Sequence, residues 1–519
     1  MRKIIALILV VSIMAVCAMP ASIPLAAENY DYSAALKNSI LFYDANKCGK
    51  DVDKDNYFSW RKACHTTDGS DVGVDLTGGF HDAGDHVKFG LAQAYTASVL
   101  GWSLYEFRDV LDATGNTQKL LSTLKYFTDY FLKSHPDPNT FYYQVGDGIL
   151  DHAYWGSPET QTGARPTVCV ANPSKPASDI LGNTSGALTL MYINYKDIDP
   201  AYADRCLKAA KELYTLGKTY KGKGDGQHFY QSSSYYDDLA WAALWLYVVE
   251  GNQAYLEEIK EYYNYKTMYN EDPYAKGWTV CWDDMYLAVS LKLTEITGDP
   301  KFKAAVEYNF NQWKTNVDTT PGGLKVLHYW GALRYAAAQS MISLLYYRQT
   351  KDESLKTFAK SQIDYILGSN PLNMSYMIGF GSKWPQHYHH RAAHPDQGGN
   401  PTYVLTGALV GGPNTTDQYK DNIHEYQYTE VAIDYNAGLV GALAGMIKHF
   451  GDVQTYKLCD INGDGAINST DLTLLKRDIL GIAKLSNTAP ADINKDGLIN
   501  STDYTLLKRV VLKIIPAPV

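Results

Sequence analysis

Apolar residues between about residue 28 and residue 452 recur with the periodicity of α-helices. Four segments show the pattern clearly: DDLAWAALWLYVVEG, WGALRYAAAQSMISLLYYRQ, TLKYFTDYFLKSH and AGLVGALAGMIKHF. The alternation of β-branched residues that indicates strands is scarce. Loops rich in glycine, proline and asparagine separate the helical segments, and such loops often carry functional residues. We therefore predict an all-α domain over residues 28–452, a toroid or bundle of helices with its chemistry on the loops.

The start of the chain has a different pattern. Two basic residues precede an apolar run from Ile4 to about Val16, and small residues with a proline follow. This arrangement is typical of a secretory signal peptide, which we predict over residues 1–27. A lipoprotein signal with modification at Cys17 is the alternative. The run is short for a membrane span, and no other segment is apolar over a sufficient length.

The end of the chain contains two copies of one unit. DINGDGAINSTDLTLLKRDIL begins at Asp460, and DINKDGLINSTDYTLLKRVVL begins at Asp492, 32 residues later. Such close similarity at a fixed offset indicates an internal repeat. We predict a second, small all-α domain over residues 459–519, joined to the large domain by a short linker at residues 453–458.

Each copy of the repeat has the spacing of an EF-hand-type calcium loop, D-x-N-x-D-G with an acid at loop position 12. Calcium prefers many oxygen ligands, and this spacing arranges them around one point. The predicted ligands of two calcium ions are Asp460, Asn462, Asp464, the carbonyl of Ala466, Asn468 and Asp471 in the first copy, and Asp492, Asn494, Asp496, the carbonyl of Leu498, Asn500 and Asp503 in the second.

The repeat, with its INSTD and LLKR segments, resembles the dockerin module of cellulosomal enzymes. The resemblance implies a cohesin module of a scaffold protein as partner and an extracellular place on a cell-surface cellulosome. It also implies that either copy docks through its own contacts, which are Ser469, Thr470, Lys476 and Arg477 in the first and Ser501, Thr502, Lys508 and Arg509 in the second. Helix capping by the serine and threonine residues is compatible with this role.

Charge and composition narrow the functional classes. The net charge is −9 and no basic patch is evident, which argues against nucleic acid as a partner. The chain contains 42 tyrosines and 10 tryptophans, whose apolar faces and polar edges suit stacking on sugar rings. Six cysteines remain after Cys17, too few in a chain of this length for a disulfide framework.

One loop combines charge with backbone freedom. The stretch DLTGGFHDAGDHVKFG, from Asp75 to Gly90, places two histidines and four glycines beside its carboxylates. Glycines allow tight turns that aim neighbouring acids at one point. The sequence therefore indicates an active-site loop.

This loop resembles the signature region of family 9 glycoside hydrolases. Two later stretches support the resemblance in the same order, SYMIGFGSKWPQHYHHR and YKDNIHEYQYTEVAIDYNAG. The resemblance implies an (α/α)6 barrel and hydrolysis of β-1,4-glucan with inversion at the anomeric carbon. One departure is Tyr388, where family members often carry an apolar residue.

Three acids form the catalytic set that the resemblance implies. An inverting glycosidase needs an acid that protonates the leaving oxygen and a base that activates water. Two close acids shift each other's pKa, so by chemistry alone either Asp82 or Asp85 could be the base. The motif assigns Asp85 as the base, Asp82 as the residue that orients the water, and Glu430 as the general acid.

Further blocks match the family's substrate cleft. Tryptophan would stack on glucose, and histidine and arginine would donate to hydroxyl groups. The implied substrate-binding residues are His152, Trp155, Trp278, Trp330, Tyr335, His389, Arg391 and Tyr435.

Two further metal sites are candidates in the large domain. The segment SSSYYDDL resembles the family's calcium site, which would use Ser233, Asp237, Asp238 and Asp283; a capped helix start is the alternative. Zinc could bind Cys48, Cys64 and His65 together with His81 or His86. A Cys48–Cys64 disulfide and free buried thiols are the alternatives.

The combined prediction is a secreted endo-β-1,4-glucanase acting on cellulose and related glucans. An exo-acting cellobiohydrolase of the same family is one alternative. A non-catalytic glucan-binding subunit of the cellulosome is another, although the joint presence of Asp82, Asp85 and Glu430 argues against it.

Overall fold

The computed structural model describes residues 30–397, 401–451, 458–485, 488–494 and 498–518. The predicted signal peptide, most of the predicted linker and Asp496 lie outside the described residues. The helices, in chain order, are α1 (Tyr32–Leu41), α2 (Tyr43–Asn46), α3 (Gly90–Glu106), α4 (Arg108–Ala113), α5 (Thr117–Ser134), α6 (Gly148–His152), α7 (Ser178–Tyr195), α8 (Pro200–Thr219), α9 (Tyr236–Glu250), α10 (Gln253–Tyr262), α11 (Tyr286–Thr297), α12 (Pro300–Thr315), α13 (Ala332–Thr350), α14 (Glu353–Leu367), α15 (Tyr426–Thr429), α16 (Ile433–Phe450), α17 (Ser469–Ile479) and α18 (Ser501–Val511).

The described residues also contain three short 3-10 helices, at Pro158–Thr160, Pro273–Ala275 and Ala489–Ala491, and five short strands. They are β1 (Lys88–Phe89), β2 (Phe141–Val145), β3 (Thr167–Ala171), β4 (Asp318–Thr319) and β5 (Lys325–Val326). Strands β1, β2 and β3 form one antiparallel sheet, in which Lys88 pairs with Val145 and Phe141 pairs with Ala171. Strands β4 and β5 form a hairpin. The sequence pattern did not predict these sheets, which lie in the loops between helices.

Twelve helices with at least ten residues build the large domain in the described part of the chain, and they alternate between an outer and an inner layer. The outer helices α1, α5, α8, α10, α12 and α14 bury one face and expose the other. Side chains of Asp199 and Asp299 cap two of them, and a proline follows each cap. These signals explain why the outer helices begin where they do.

The inner helices α3, α7, α9, α11, α13 and α16 are apolar around most of their circumference and are buried accordingly. Each contacts the next, and α16 contacts α3 to close the ring. At Gly438 an added Cβ would lie 2.8 Å from the Cα of Ala338, so α16 and α13 approach closely there. Six inner and six outer helices form an (α/α)6 barrel, which confirms the predicted fold.

The loops that carry the predicted site residues lead into inner helices. Asp82 and Asp85 precede α3, Trp330 precedes α13, and Glu430 precedes α16. Successive inner helices run in the same direction because an outer helix returns the chain each time. Their N-terminal ends therefore share one side of the barrel, where the site residues meet.

The C-terminal repeat folds around its own core. Ile461 and Leu475 from the first copy pack with Ile493 and Leu507 from the second, and Cys459, which precedes the first copy, joins them. Helices α17 and α18 contact each other and begin at equivalent positions of the two copies. The described residues include no helix with the length and apolar character that a membrane crossing requires.

Candidate active site

A cavity of about 940 Å³ opens at the N-terminal side of the inner helices. Asp82, Asp85 and Glu430 all line it. Among the predicted substrate-binding residues, those on its wall are His152, Trp278, Trp330, Tyr335, His389, Arg391 and Tyr435. The structure thus brings together residues that are separated by more than three hundred positions in the chain.

Backbone hydrogen bonds join the three loops that form the site. The amide of Arg391 donates to the carbonyl of Gly84 at 2.9 Å, and the amide of Ile433 donates to the carbonyl of Asp82 at 2.9 Å. The amide of His389 donates to the carbonyl of Thr429, also at 2.9 Å. Gly84 is required for this contact because a Cβ there would overlap the carbonyl oxygen of His389.

Asp82 is buried and held from one side. The hydroxyl of Tyr230 donates to Asp82 Oδ2 at 2.5 Å, while Asp82 Oδ1 has no hydrogen-bond partner among the described residues. Burial raises the pKa of Asp82 well above its ordinary value, and the negative charge of Asp85 acts in the same direction. The Tyr230 hydrogen bond opposes this rise without reversing it.

Asp85 has the opposite electrostatic character. Its Oδ1 accepts a hydrogen bond from the amide of Ala83 at 3.2 Å, and its Oδ2 lies 3.3 Å from His152 Nε2. Burial alone would raise the pKa of Asp85, but the His152 hydrogen bond and the charges of His152 and Arg391 lower it to about 2. The pKa of His152 is raised: burial lowers it, but the hydrogen bond and charge of Asp85 outweigh burial.

These environments separate two aspartates that the sequence left equivalent in chemical terms. Asp85 is the ionised member of the pair and is suited to accept a proton. Asp82 is the member whose burial favours the neutral form, and its Oδ1 remains available to hold a water. The roles that the family resemblance implies for the two aspartates remain predictions.

Glu430 follows the short helix α15 and points its side chain into the cavity. Trp330 Nε1 donates to Glu430 Oε2 at 2.8 Å, and the hydroxyl of Tyr435 donates to the same oxygen at 3.2 Å. Burial raises the pKa of Glu430, and the charge of Asp85 adds to the rise, which outweighs the two hydrogen bonds. A carboxyl group that keeps its proton to higher pH is suited to act as a general acid.

Arg391 is fixed by a residue that the sequence analysis did not identify. Asp151, only 3% exposed, accepts a hydrogen bond from Arg391 at 2.9 Å and another from the amide of His86 at 3.1 Å. Gln161 donates to the other oxygen of Asp151 at 2.9 Å. Asp151 directly precedes His152, so its position beside a predicted substrate-binding residue was the available signal.

His389 contributes a neutral ring to the cavity wall. Burial lowers its pKa to about 4, and its Nδ1 lies 2.7 Å from the carbonyl oxygen of Ile423. In the neutral ring Nδ1 must therefore carry the hydrogen, which leaves Nε2 as an acceptor toward the cavity. A sugar hydroxyl could donate to that nitrogen.

Trp155 lies behind the cavity wall rather than on it. Its Nε1 donates to the carbonyl of His394 at 2.6 Å, and its ring packs edge to face against His389 with 5.1 Å between centroids. The guanidinium of Arg391 lies 5.6 Å from the same ring. In this structure Trp155 supports two residues of the wall, and its predicted direct contact with substrate remains a prediction.

The sequence analysis did not identify several other residues of the cavity wall. Tyr230 contacts Asp82 as described, Phe229 packs against His152, and Tyr426 packs against Trp330. Asp434 accepts a hydrogen bond of 2.8 Å from Arg334. Asp434 and Tyr426 lie within the motif that contains Glu430, whereas Phe229 and Tyr230 lie in a loop with no comparable signal.

The departure at Tyr388 has a structural explanation. Tyr388 is fully buried, and its hydroxyl donates to the carbonyl of Tyr403 at 2.5 Å and accepts from the amide of Leu405 at 3.2 Å. The hydroxyl thus ties a following loop to the segment that carries His389 and Arg391. The loop shape is compatible with the polar residue because both of its hydrogen-bonding functions are satisfied.

The predicted calcium segment forms a buried acidic cluster. Ser233 donates its amide to Asp283 Oδ1 at 2.5 Å, and Asp238 Oδ1 accepts from Asn183 at 2.9 Å. Burial raises the pKa of Asp237 to about 8, with the charges of Asp284 and Asp283 as further causes. Asp237 Oδ1 has no partner among the described residues. Buried carboxylates with an unsatisfied oxygen fit a calcium ion.

The candidate zinc site brings four side chains together. One ligand atom from each lies within 4.8 Å of the others, and the residues are Cys48, Cys64, His65 and His81. Cys48 Sγ lies 3.6 Å from His65 Nδ1, which lies 3.1 Å from His81 Nε2. Tetrahedral zinc has bonds of about 2.3 Å to sulfur and about 2.0–2.1 Å to nitrogen, so these separations fit its coordination.

The geometry bears on two alternatives for this cluster. The ligand atoms that lie together include one from His81, whereas His86 Nε2 lies 2.9 Å from the carbonyl oxygen of Gly156. None of the six described cysteines forms a disulfide.

The first predicted calcium loop of the repeat is closed by its own acids. Asp460 accepts from the amides of Asp464 at 3.1 Å and Gly465 at 2.7 Å. Asp471 is fully buried and accepts from the amide of Ile461 at 2.8 Å. In the second loop Asp503 accepts from the amide of Ile493 at 2.8 Å. The acids at position 12 of both loops, Asp471 and Asp503, thus turn inward as calcium binding requires.

The predicted partner contacts lie on the surface of the repeat. All eight residues are exposed, and Asn468 and Asn500 cap the helices that carry them. Apolar residues that the sequence analysis did not identify add to both copies: Leu480 and Ile482 in the first, and Leu512 and Ile514 in the second, are 57–64% exposed. Their equivalent positions give the two copies similar surfaces.

Comparisons with known proteins agree with this arrangement. Residues 32–443 match the model for Glycosyl hydrolase family 9, and residues 458–512 match that for the Dockerin type I domain. Endoglucanase A of Bacillus pumilus is 40% identical over 456 residues, which cover 82% of this chain and 68% of that protein.

Solved structures give the same result. The crystal structure of the cellulase Cel9M of C. cellulolyticum is 61% identical, with a TM-score of 0.79, over 82% of this chain and 100% of that one. An endoglucanase structure from the termite Nasutitermes takasagoensis is 38% identical, with a TM-score of 0.77, over 81% of this chain and 99% of that one. The chain therefore belongs to glycosyl hydrolase family 9.

Proposed function

We propose that this protein is an extracellular, cellulosome-docked endo-β-1,4-glucanase that hydrolyses internal bonds of cellulose and related glucans with inversion. The observation that carries the proposal is the opposed electrostatics of Asp85 and Glu430 in one cavity. Asp85 has a pKa lowered to about 2, whereas Glu430 has a raised pKa. An ionised base and a protonated acid can therefore coexist over a wide pH range.

The reaction follows from these two groups. Asp85 takes a proton from a water while the water oxygen attacks the anomeric carbon, and a hydrogen bond between Asp82 Oδ1 and the same water orients it; the water's other hydrogen stays on the new hydroxyl group. The glycosidic oxygen leaves with the proton of Glu430. Inversion requires space for the water, with the two carboxyl groups roughly 6.5–9.5 Å apart. Each step transfers one proton, so the two acids exchange their charge states over the reaction.

Hydrogen bonds around Glu430 suit a group that becomes charged. Trp330 and Tyr435 both donate to Glu430 Oε2. When Glu430 gives up its proton, these donors stabilise the carboxylate that forms. Its other oxygen is the one suited to carry the proton toward the leaving group.

Viscosity loss of a soluble cellulose derivative, compared with release of reducing sugar, tests the proposal. An endo-acting enzyme lowers the viscosity strongly for few bonds broken. A slow loss of viscosity with steady release of cellobiose would favour the exo-acting alternative. No release above a Glu430→Gln variant would favour a non-catalytic glucan-binding subunit.

The repeat supports docking to a cohesin module. Exposed hydroxyl, basic and apolar side chains occur at equivalent positions of both copies. Replacing Ser469 and Thr470 by alanine is expected to leave cohesin affinity close to that of the wild type, because the second copy still docks. Adding Ser501→Ala and Thr502→Ala is expected to lower the affinity strongly. A full loss from the first pair alone would contradict docking through either copy.

We also propose zinc at Cys48, Cys64, His65 and His81, and calcium at Asp237, Asp238, Asp283 and the backbone near Ser233. Zinc there would tie the active-site loop to the preceding segment, since His81 precedes Asp82 directly. Elemental analysis of the purified full chain tests both sites. A Cys64→Ser variant should lose zinc and keep all of its calcium, whereas an Asp237→Asn variant should keep zinc and lose one calcium ion while the two in the repeat remain. Equal metal content in all three proteins would contradict the assignment.

A further inference from the structure

We propose that the turn at residues 267–271 forms an outer glucose-binding subsite of the cleft. In this subsite the ring of Tyr269 stacks on a glucosyl unit and the carboxylate of Glu271 accepts a hydrogen bond from a sugar hydroxyl. The inference deepens the proposed function and rests on it for the identity of the sugar.

The turn is rigid for a surface segment. The amide of Asn270 donates to the carbonyl of Thr267 at 2.9 Å, and the amide of Thr267 donates to the carbonyl of Glu271 at 3.2 Å. The side chains of Thr267 and Glu271 are joined at 3.1 Å. The amide of Met268 donates to the carbonyl of Ser233 at 2.9 Å, which anchors the turn to the barrel. A turn held in this way presents its tip in one orientation.

Tyr269 lies at the tip of the turn, and packing within the protein does not explain the presence of an aromatic ring there. The residue is 67% exposed, and among the described residues no hydrogen bond or aromatic contact holds its side chain. It nevertheless lines the cleft. An exposed aromatic ring on a rigid turn beside a sugar-binding cleft has the geometry of a stacking platform.

Glu271 supplies a polar partner beside this ring. Its side chain is 44% exposed, lines the same cleft, and forms an ion pair with Lys276. Lys276 is in turn paired with the buried Asp284 at 3.0 Å. The chain of ion pairs orients the Glu271 carboxylate, whose remaining lone pairs can accept from sugar hydroxyls.

The position of the turn indicates which substrates would reach it. Trp278 and Trp282 lie on the cleft wall and are partly buried, whereas Tyr269 is largely exposed at the rim. A short oligosaccharide can occupy the cleft without extending to the rim. The subsite would therefore distinguish long glucan chains from short ones.

Calorimetric measurement of oligosaccharide binding tests the subsite. The protein used is the full chain carrying Glu430→Gln, because this variant binds glucan without cleaving it. The ligands are cellotriose and cellohexaose. The readout is the affinity for cellohexaose divided by the affinity for cellotriose. Adding Tyr269→Ala is expected to lower the ratio by about fivefold to tenfold, a typical effect for the loss of one aromatic contact. Adding Tyr269→Phe should retain the ratio within about twofold, because the ring remains. Tyr220→Ala is the matched control, since Tyr220 is 40% exposed and lies outside the cleft lining.

The outcomes separate this inference from the proposed function. An unchanged ratio in Tyr269→Ala would overturn the subsite even if the wild type hydrolyses glucan. A lowered ratio would support the subsite even if the wild type hydrolyses nothing, in which case only the proposed function fails. Equal losses for both ligands would also overturn the subsite, because they would indicate a general disturbance of the cleft. The melting temperature of Tyr269→Ala is expected to match that of Tyr220→Ala.

Discussion

His152 Nε2 lies 3.3 Å from Asp85 Oδ2, and this contact distinguishes Asp85 from Asp82, three residues earlier in the same loop. Both aspartates are buried, and burial alone would raise the pKa of each. Only Asp85 receives the hydrogen bond and charge of His152. The assignment of the base therefore depends on a residue from another part of the chain.

Replacing His152 by glutamine is expected to move the acidic limb of the activity profile to higher pH. The catalytic base must be ionised, and without the histidine the pKa of Asp85 rises from about 2 toward its ordinary range. We expect a shift of about one pH unit in the acidic limb of kcat/KM. His228→Gln serves as control, because His228 lines the same cavity without a described contact to Asp85. An acidic limb at the wild-type pH in His152→Gln would contradict this account.

Replacing Tyr230 by phenylalanine removes the 2.5 Å hydrogen bond to Asp82 Oδ2 and leaves the ring in place. The carboxyl group of Asp82 would then be free to rotate away from the attacking water. We expect kcat to fall about tenfold with KM within about twofold, since the loss concerns water orientation more than sugar binding. Steady-state kinetics on a soluble glucan measures both constants. A raised KM with an unchanged kcat would instead indicate that Tyr230 acts in substrate binding.

The helical pattern predicted an all-α domain, and the family resemblance supplied the barrel and a catalytic role for three acids that the structure places in one cavity. Inner helices such as α9 and α13 have apolar patterns that require burial, and the acids lie in motifs with a specific spacing. The sequence alone could not show whether Asp82 or Asp85 is the ionised base, because their pKa values depend on Tyr230 and His152. These partners come from loops that only the folded barrel brings beside them.

Other features also depended on tertiary contacts. Asp151 has no unusual local pattern, yet it holds Arg391 and the backbone of His86. Trp155 matches a cleft motif, but its ring lies behind the wall because its indole donates to His394. The short strands were not predicted because a segment of two to five residues is too short to show a clear periodic pattern.

Replacing Gly84 by alanine tests the contact between the loop that carries Asp82 and Asp85 and the loop that carries His389 and Arg391. A Cβ would overlap the carbonyl of His389 and displace the segment that carries Arg391. We expect a loss of about 1–3 kcal/mol in the free energy of unfolding and a fall in kcat/KM greater than tenfold. Denaturant unfolding and steady-state kinetics measure these effects. Gly163→Ala is the control, because a Cβ there meets open space, and equal behaviour of the two variants would contradict the prediction.

Removing calcium is expected to destabilise the C-terminal repeat. Without the ion, the inward-facing acids of each loop repel one another and the shared core loses its support. Calorimetry of the full chain should show a small transition that falls by about 10 °C or more in chelator. A double variant, Asp471→Ala with Asp503→Ala, should abolish the response of that transition to calcium. A transition that is insensitive to chelator in the wild type would contradict calcium binding by the repeat.

The configuration of the first product tests the pairing of Asp85 and Glu430 most directly. Proton NMR of a cello-oligosaccharide digest, recorded within minutes of adding enzyme, resolves the two anomers before mutarotation mixes them. Water activated by Asp85 attacks from the face opposite the leaving group, so the new reducing end should appear first as the α-anomer. Initial formation of the β-anomer would show retention and contradict the proposed roles of both residues.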